Sequence, residues 1–225
     1  MKKSGLNCPA EGRRQEHAPL GRAKRVGILG GTFDPIHTGH LILAEEAYEA
    51  FELDSVLIMP NGNPPHKPGQ VQATMEQRTH MAELAVSGNA HFQVSDFEKT
   101  PQDYHYTYET LEFLVAAHPD TEFYFILGAD SLVHFHTWME PGRICKCCRI
   151  LAATRDRMEA EKLKAHMERL KQDFGACIEL LETPNIDISS NMLRERVQKG
   201  QSIRYYVPEA VEAYIHEQHL YREKP

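Results

Sequence analysis

Two histidines set three residues apart carry the first chemical signal in this 225-residue sequence. His37 and His40 close the string GGTFDPIHTGH, which begins with Gly30-Gly31. The apolar run before the glycines predicts a strand, and the residues after His37 predict a helix whose face both imidazoles share. Histidines at the positive end of a helix, beside glycines that admit a ligand close to the backbone, indicate a site for phosphate oxygens.

A second candidate phosphate site lies toward the C-terminal end, in the string ISSNMLRER over residues 188–196. Either Ser189 or Ser190 is expected to cap the helix that follows, and Arg194 lies on that helix. Hydroxyl groups, free backbone amides and a guanidinium at one point suit the β- and γ-phosphates of a nucleotide. Capping alone would explain the serines. The interpretation as a phosphate site therefore depends on the presence of the first motif.

Six short apolar runs are expected to form the strands that position these motifs. They span residues 25–29, 55–59, 91–94, 122–127, 149–153 and, more weakly, 176–180. Helical periodicity occupies residues 39–51, 74–87, 107–117, 158–172 and 208–217. This alternation predicts a single doubly wound α/β domain, Rossmann-like, with a parallel sheet covered on both faces. Ligands in such sheets bind beyond the carboxyl ends of the strands, and these ends lie at Gly30, Pro60, Gly128 and Thr154.

Composition and charge exclude several classes of protein. The 25 basic and 32 acidic residues give a net charge of −7, which argues against a surface that grips nucleic acid. No apolar run approaches the roughly 20 residues that cross a bilayer. Residues 1–24 carry charges throughout and lack the apolar core of a secretory signal. We therefore expect a flexible tail over residues 1–24, a domain over residues 25–222 and a cytoplasmic protein without membrane or nucleic-acid partners; the oligomeric state stays open.

The cysteines do not predict a disulfide framework, because their number is odd and no secretory signal precedes them. The five are Cys8, Cys145, Cys147, Cys148 and Cys177. The cluster at residues 145–148 lacks a second ligand pair at the spacing of a zinc finger. The apolar residues that follow it favour a buried strand entered by small thiol side chains.

The two phosphate motifs together resemble those of the nucleotidyltransferase superfamily that carries the signature HxGH. The second motif is similar to that superfamily's ISSTxIR signature, with Asn191 and Leu193 at positions where threonine and isoleucine are usual. The resemblance implies that ATP phosphates are contacted, and departing pyrophosphate stabilised, by three catalytic residues: His37, His40 and Arg194. The ATP-binding set further includes Gly30, Gly31, Thr32, Phe33, Gly128, Asp130, Ser189 and Ser190. Asp130, just past a Gly-Ala turn, suits the ribose hydroxyls.

Further segments resemble nicotinate-nucleotide adenylyltransferases in particular, and the resemblance covers residues 25–220. The string NPPHK over residues 63–67 is similar to the PPHK loop of that family, which implies Lys67 near the mononucleotide phosphate. Tyr106-Thr107 stands at the family's SYT segment, with histidine in place of the serine. SIRYYVP over residues 202–208 matches the family's SIRYLVP segment and is interpreted as mostly architectural.

The mononucleotide is expected to meet a second set of side chains. Trp138, the single tryptophan, offers a face on which a pyridine ring could stack, although a lone tryptophan is more often core filler. Asp34 either holds the site together or binds the waters of a metal ion. The full set is Thr32, Asp34, Lys67, Thr107, Trp138 and Arg155.

The resemblance implies transfer of AMP from ATP to nicotinate mononucleotide, with deamido-NAD and pyrophosphate as products. Because the attacking phosphate oxygen is already ionised, catalysis should rest on positioning and electrostatic stabilisation. Mg²⁺ is expected to arrive bound to ATP, without a dedicated protein metal site. Specificity for nicotinamide mononucleotide, dual specificity and an inactive nucleotide-binding module stay open. A histidine-metal hydrolase and a Rossmann dehydrogenase fit less well, because a third ligand and a GxGxxG string are missing.

Overall fold

The structure, a computed structural model, describes the chain in five stretches. These are residue 20 and residues 24–62, 71–95, 106–154 and 157–222, apart from the side chains of residues 157–162. Lys67 and Arg155, both predicted to bind the mononucleotide, lie outside the described residues.

Six strands form one parallel sheet within these stretches. They are β1 (Arg25–Gly31), β2 (Ser55–Pro60), β3 (Phe92–Val94), β4 (Glu122–Gly128), β5 (Arg149–Thr154) and β6 (Ile178–Glu182). Their order across the sheet is β3-β2-β1-β4-β5-β6, with every neighbouring pair parallel. The predicted parallel sheet is confirmed, and its strand order reverses between β1 and β4. A crevice is expected at that point, beyond the carboxyl ends of these two strands.

The described residues also form eight α-helices. They are α1 (Thr38–Ala50), α2 (Met75–Val86), α3 (Thr107–Ala117), α4 (Ala129–His134), α5 (Pro141–Cys147), α6 (Arg157–Phe174), α7 (Ser190–Gln198) and α8 (Glu209–Glu217). Among them none has the length and apolar character that a membrane-spanning helix requires.

Helices cover both faces of the sheet, which explains why the strands read as continuous apolar runs. On β1, Ile28 faces one hydrophobic cluster and Leu29 the opposite one. On β4, Phe125 and Ile126 divide in the same way. The cluster that Leu29 and Ile126 face takes in α1, α2, α7 and α8, and the cluster that Ile28 and Phe125 face takes in α3 to α6. The predicted doubly wound arrangement is therefore confirmed.

The last strand begins two residues later than predicted. Gly175, at φ 68°, follows the end of α6, and the backbone there turns into a left-handed conformation that favours glycine. Ala176 is buried in the core, so it reads as part of a strand in the sequence. The regular β6 pairing starts only at Ile178, opposite Ile150.

The sequence predicts that the cysteine cluster enters a strand, and for Cys145 and Cys147 this prediction is wrong. Both residues lie on α5. Pro141 occupies the first turn of this helix, where its missing N–H costs nothing. Ile144 is fully buried and anchors the helix, and the thiol of Cys148 donates to its carbonyl over 3.4 Å. Only Cys148 leads directly into β5.

Candidate active site

A cavity of about 660 Å³ lies beyond the carboxyl ends of β1 and β4, where the strand order reverses. The first motif, the turn from β4 into α4, and the start of α7 all line it. The first turns of α1 and α7 contribute Gly39 and Ser190 to its wall, so both helices begin at the cavity. The volume suits a ligand of nucleotide size.

The glycine turn after β1 brings the backbone close to a buried aromatic ring. A Cβ atom on Gly31 would lie 2.7 Å from the ring of Phe33, closer than two carbon atoms can pack. Phe33 is itself buried, with φ 49°, and its ring meets the ring of His40 edge-on at 4.9 Å between centroids. Gly31 thus makes room for the ring that supports one of the two histidines.

The two histidines of the first motif lie side by side, and their rings stack on each other. The ring centroids are 3.6 Å apart and the planes differ by 22°. The backbone N–H of His37 donates to Nδ1 of His40 over 3.2 Å. Because Nδ1 accepts this bond, the ring hydrogen of neutral His40 is on Nε2. A Cβ atom on Gly39 would stand 3.2 Å from Nδ1 of His37, so glycine fits between them.

Burial keeps both imidazoles neutral near pH 7. It lowers the pKa of His37 to about 4. Burial, and secondarily the neighbouring His37, lower the pKa of His40 well below its usual value. Nδ1 of His37 is buried without a hydrogen-bond partner among the described residues. The pair therefore offers a ligand neutral hydrogen-bond donors, not fixed positive charges.

Arg194 supplies a cation to the site and is hydrogen-bonded to the first motif. Its Nη1 donates to the backbone carbonyl of Asp34 over 2.8 Å, and its Nη2 to the side chain of Asn191 over 3.1 Å. Ser190 donates to the carbonyl of Pro35 over 2.9 Å. Ser189 is the residue that caps α7, accepting from the backbone of Met192, which decides between the two serines.

The carboxylate of Asp34 is buried and surrounded by donors from the protein itself. The backbone amides of Gln72 and Ala73 donate to it over 2.8 and 3.1 Å, and the hydroxyl of Tyr221 over 2.7 Å. Asp34 is only 2% exposed. Of the two roles that the sequence leaves open, this environment favours holding the site together over binding the waters of a metal ion.

Known proteins are similar to this chain over most of its length. The profile of the cytidylyltransferase-like family matches residues 28–196. A probable nicotinate-nucleotide adenylyltransferase of Lachnoclostridium phytofermentans is 46% identical over 192 residues, which cover 85% of this chain and 96% of that protein. One from Synechococcus sp. (strain JA-3-3Ab) is 40% identical over 203 residues, which cover 90% of this chain and 97% of that protein.

The chain belongs to the nicotinate-nucleotide adenylyltransferase family. Its fold also matches solved structures of the nicotinic acid mononucleotide adenylyltransferase of Plasmodium falciparum. The complex with APC gives a TM-score of 0.69 and the complex with NaAD gives 0.70, each at 20% identity. Both matches cover 88% of this chain and 97% of the other. At this identity the match shows the shared fold.

Most of the residues predicted to bind ATP line this cavity. Those that do are Gly31, Thr32, Phe33, His37, His40, Gly128, Asp130, Ser189, Ser190 and Arg194. Gly30 lies one residue further back in β1, where a Cβ atom would stand 3.6 Å from the side chain of Asn61, and it is not part of the wall. The contact of Gly30 with ATP stays a prediction.

Fewer of the residues predicted to bind the mononucleotide line the cavity. Thr32 and Asp34 line the cavity, whereas Thr107, at the start of α3, does not. Trp138 packs against Phe135 and Phe125, at 5.3 and 6.1 Å between ring centroids, also outside the cavity wall. This half-buried packing is what a core tryptophan would show. A pyridine contact for Trp138 stays a prediction.

Two buried residues near the site were missed by reasoning from the sequence. Tyr221 comes from beyond α8, at the far end of the chain. Arg78, on α2 and 2% exposed, donates to the carbonyls of Thr32, Asn61 and Gly62 over 2.7 to 2.9 Å. It thereby ties together the loops that leave β1 and β2. Neither residue belongs to a motif, so the sequence offers no signal for its role.

Proposed function

We propose that this protein transfers AMP from ATP to nicotinate mononucleotide and releases pyrophosphate, giving deamido-NAD. The observation that carries the proposal is the convergence of the stacked pair His37–His40 with Arg194 in a nucleotide-sized cavity. Membership of the nicotinate-nucleotide adenylyltransferase family supports the same reaction.

The triphosphate of ATP fits the end of the cavity formed by the starts of α1 and α7. There it meets the positive ends of both helices, the Nε2 hydrogen of His40 and the guanidinium of Arg194. Asp130 also lines the cavity, at the start of α4, where it can accept hydrogen bonds from ribose. Lys67, Thr107, Trp138 and Arg155 remain the predicted contacts of the mononucleotide.

In the reaction, an oxygen of the mononucleotide phosphate forms a bond to the α-phosphorus of ATP, and the bond from that phosphorus to the pyrophosphate oxygen breaks. Because the attacking oxygen is already ionised near neutral pH, no general base is needed. His37, His40 and Arg194 are proposed as the catalytic residues that stabilise negative charge on the α-phosphate and on departing pyrophosphate. Neutral histidines suit this task, since preformed hydrogen-bond donors in a dry site need little reorganisation.

Magnesium is proposed to enter with ATP, held mainly by phosphate oxygens and water. Asp34, the carboxylate of the first motif, has its oxygens engaged by donors from the protein. Within the described residues, no group of three or more histidine, cysteine or acidic side chains could hold a metal ion. The ion, when bound, would neutralise part of the charge on the phosphates.

The catalytic domain is proposed to span residues 25–222. The strands and helices of the described chain lie between Arg25 and Glu217, and Tyr221 packs into the core beyond them. Leu20, which precedes this span, is also buried against the cluster on the side of α3 to α6. The cytoplasmic location stays a prediction from the sequence.

The proposed function is tested by measuring pyrophosphate release from ATP and Mg²⁺ with nicotinate mononucleotide or nicotinamide mononucleotide. We expect strong release with the acid and little with the amide. Equal release would make the enzyme one of dual specificity. Release with neither substrate, from protein that circular dichroism shows to be folded, would contradict the proposal.

A further inference from the structure

The hydroxyl of Tyr221 occupies a position behind the phosphate site that packing alone does not require. We propose that Tyr221 is a positioning residue: its hydrogen bond to Asp34 keeps that carboxylate away from Arg194 and leaves the guanidinium to ATP. The inference rests on the proposed function, since it concerns the same cavity and the same phosphate-binding arginine.

Tyr221 reaches the site from the end of the chain. It is 5% exposed, it has φ 61°, and its hydroxyl donates to Oδ1 of Asp34 over 2.7 Å. The two residues are 187 positions apart in the sequence. The contact therefore ties the segment beyond α8 to the turn that leads from β1 into the first histidine.

A ring without a hydroxyl would fill the same space. A buried hydroxyl is costly unless it is hydrogen-bonded, so its presence indicates a requirement for the bond. Burial, together with the nearby negative charge of Asp34, raises the pKa of Tyr221, so that the hydroxyl keeps its proton and remains a donor. The structure thus places a permanent donor on one oxygen of Asp34.

The other oxygen of Asp34 faces the arginine. Nη1 of Arg194 lies 3.8 Å from Oδ2, too far for a hydrogen bond, and donates instead to the backbone carbonyl of Asp34 over 2.8 Å. Three donors hold the carboxylate in place: the amides of Gln72 and Ala73 and the hydroxyl of Tyr221. Loss of the hydroxyl would leave Oδ1 with the amide of Ala73 alone. The less constrained carboxylate would then be free to turn toward Nη1 of Arg194, which lies 3.8 Å from Oδ2.

A closed ion pair between Asp34 and Arg194 would compete with ATP for the guanidinium. Charge-assisted pairs of this type are strong when they are shielded from water, and the Arg194 side chain is only 14% exposed. The hydroxyl of Tyr221 prevents this pairing because it donates a hydrogen bond to Oδ1 of Asp34 and holds the carboxylate in place. Nη1 and Nη2 of Arg194 each donate to one acceptor of the protein, and each keeps a second hydrogen for the phosphates.

The test compares Tyr221→Phe with Tyr214→Phe. Tyr214 lies on α8 in the same C-terminal region and packs edge-on against His80, at 4.7 Å between ring centroids, so it controls for the loss of a tyrosine hydroxyl outside the site. For Tyr221→Phe we expect kcat to fall about tenfold and the Kd for ATP, measured by calorimetry, to rise about fivefold. The KM for nicotinate mononucleotide should stay within about twofold, because the change acts on the arginine that is proposed to bind the phosphates of ATP. Tyr214→Phe should match the wild type.

The same substitution is then made in an Arg194→Lys background. If Tyr221 acts through Arg194, Tyr221→Phe should change kcat and the Kd for ATP less than about twofold there. Equal losses in both backgrounds would overturn the inference. So would a Tyr221→Phe protein that unfolds at lower urea but turns over and binds ATP like the wild type.

Failure of the proposed function is distinguishable from failure of this inference. Wild-type protein that releases no pyrophosphate with nicotinate mononucleotide would remove the proposed function. The Kd for ATP would still decide the inference: an unchanged value in Tyr221→Phe overturns it, and a rise that disappears in the Arg194→Lys background supports it.

Discussion

At the scale of single residues, burial lowers the pKa values of the two histidines more than neighbouring charges do. His37 and His40 stack at 3.6 Å between ring centroids, and burial lowers the pKa of both. Two charged imidazoles at that distance would repel each other, so neutrality and stacking are consistent. Among the described residues that line the cavity, Arg194 is thus the one cation, and it lies beside two neutral donors.

Loss of His40 tests the importance of these donors. For His40→Ala we expect turnover to fall at least about a hundredfold, the order found when one preorganised donor is removed from a charged transition state. His166→Ala, an exposed histidine on α6, is the matched control and should leave turnover unchanged. Near-normal turnover in His40→Ala, measured by pyrophosphate release, would remove that residue from the mechanism.

The lowered pKa of His37 also predicts how stability depends on pH. The folded protein resists protonation of His37 down to about pH 4, whereas the unfolded chain takes up the proton near pH 6.5. The free energy of unfolding should therefore be greatest above pH 6.5 and decrease between pH 6.5 and 4, by up to about 1.4 kcal/mol per pH unit. Urea unfolding at a series of pH values measures this slope.

His37→Asn is the comparison for that slope, because it removes the titrating ring but keeps a polar side chain. Its unfolding free energy should depend less steeply on pH between 6.5 and 4 than that of the wild type. Identical slopes in the two proteins would show that His37 titrates normally in the folded state.

At the scale of elements, the sequence predicts the sheet well and the short helices poorly. Strands buried on both faces read as apolar runs, so β1, β2, β4 and β5 are found to within a residue or two. The helices α4 and α5 are too short for a periodicity to be visible, and α5 includes the cysteines assigned to a strand entrance. Local pattern cannot show where such a turn of helix ends and a strand begins.

The turn between β1 and α1 is an element whose shape depends on one missing side chain. For Gly31→Ala we expect a loss of about 1–3 kcal/mol of stability, because the new methyl group overlaps the buried ring of Phe33. Since that ring supports His40, turnover should fall as well. Urea unfolding and pyrophosphate release measure the two effects.

Gly88→Ala is the matched control for that turn. A Cβ atom at Gly88 would meet nothing within 4 Å, and the residue lies beyond the end of α2, away from the cavity wall. We expect little change in stability or turnover. If Gly31→Ala were as stable and active as Gly88→Ala, the described packing of Phe33 would be wrong.

At the scale of the whole molecule, the fold gathers groups that the sequence keeps far apart. The motifs predict that residues near 37 and 194 share a phosphate site, and the parallel sheet with its crossover topology explains how they meet. The hydrogen bonds that hold these motifs in place cannot be predicted from the sequence motifs. Tyr221 and Arg78 act through ordinary hydrogen bonds in the interior, and nothing in their local sequence differs from a core tyrosine or a surface arginine.

The central claim is that the protein transfers AMP from ATP to nicotinate mononucleotide in this cavity. An experiment with labelled ATP tests this claim most directly. Purified protein is given Mg²⁺, nicotinate mononucleotide and ATP labelled at either the α- or the γ-phosphate, and the products are separated by chromatography. We predict that the α-label appears in deamido-NAD and the γ-label in pyrophosphate, in equal amounts, and only when the mononucleotide is present. An α-label that stays with free AMP, or a γ-label released as single phosphate, would contradict the account.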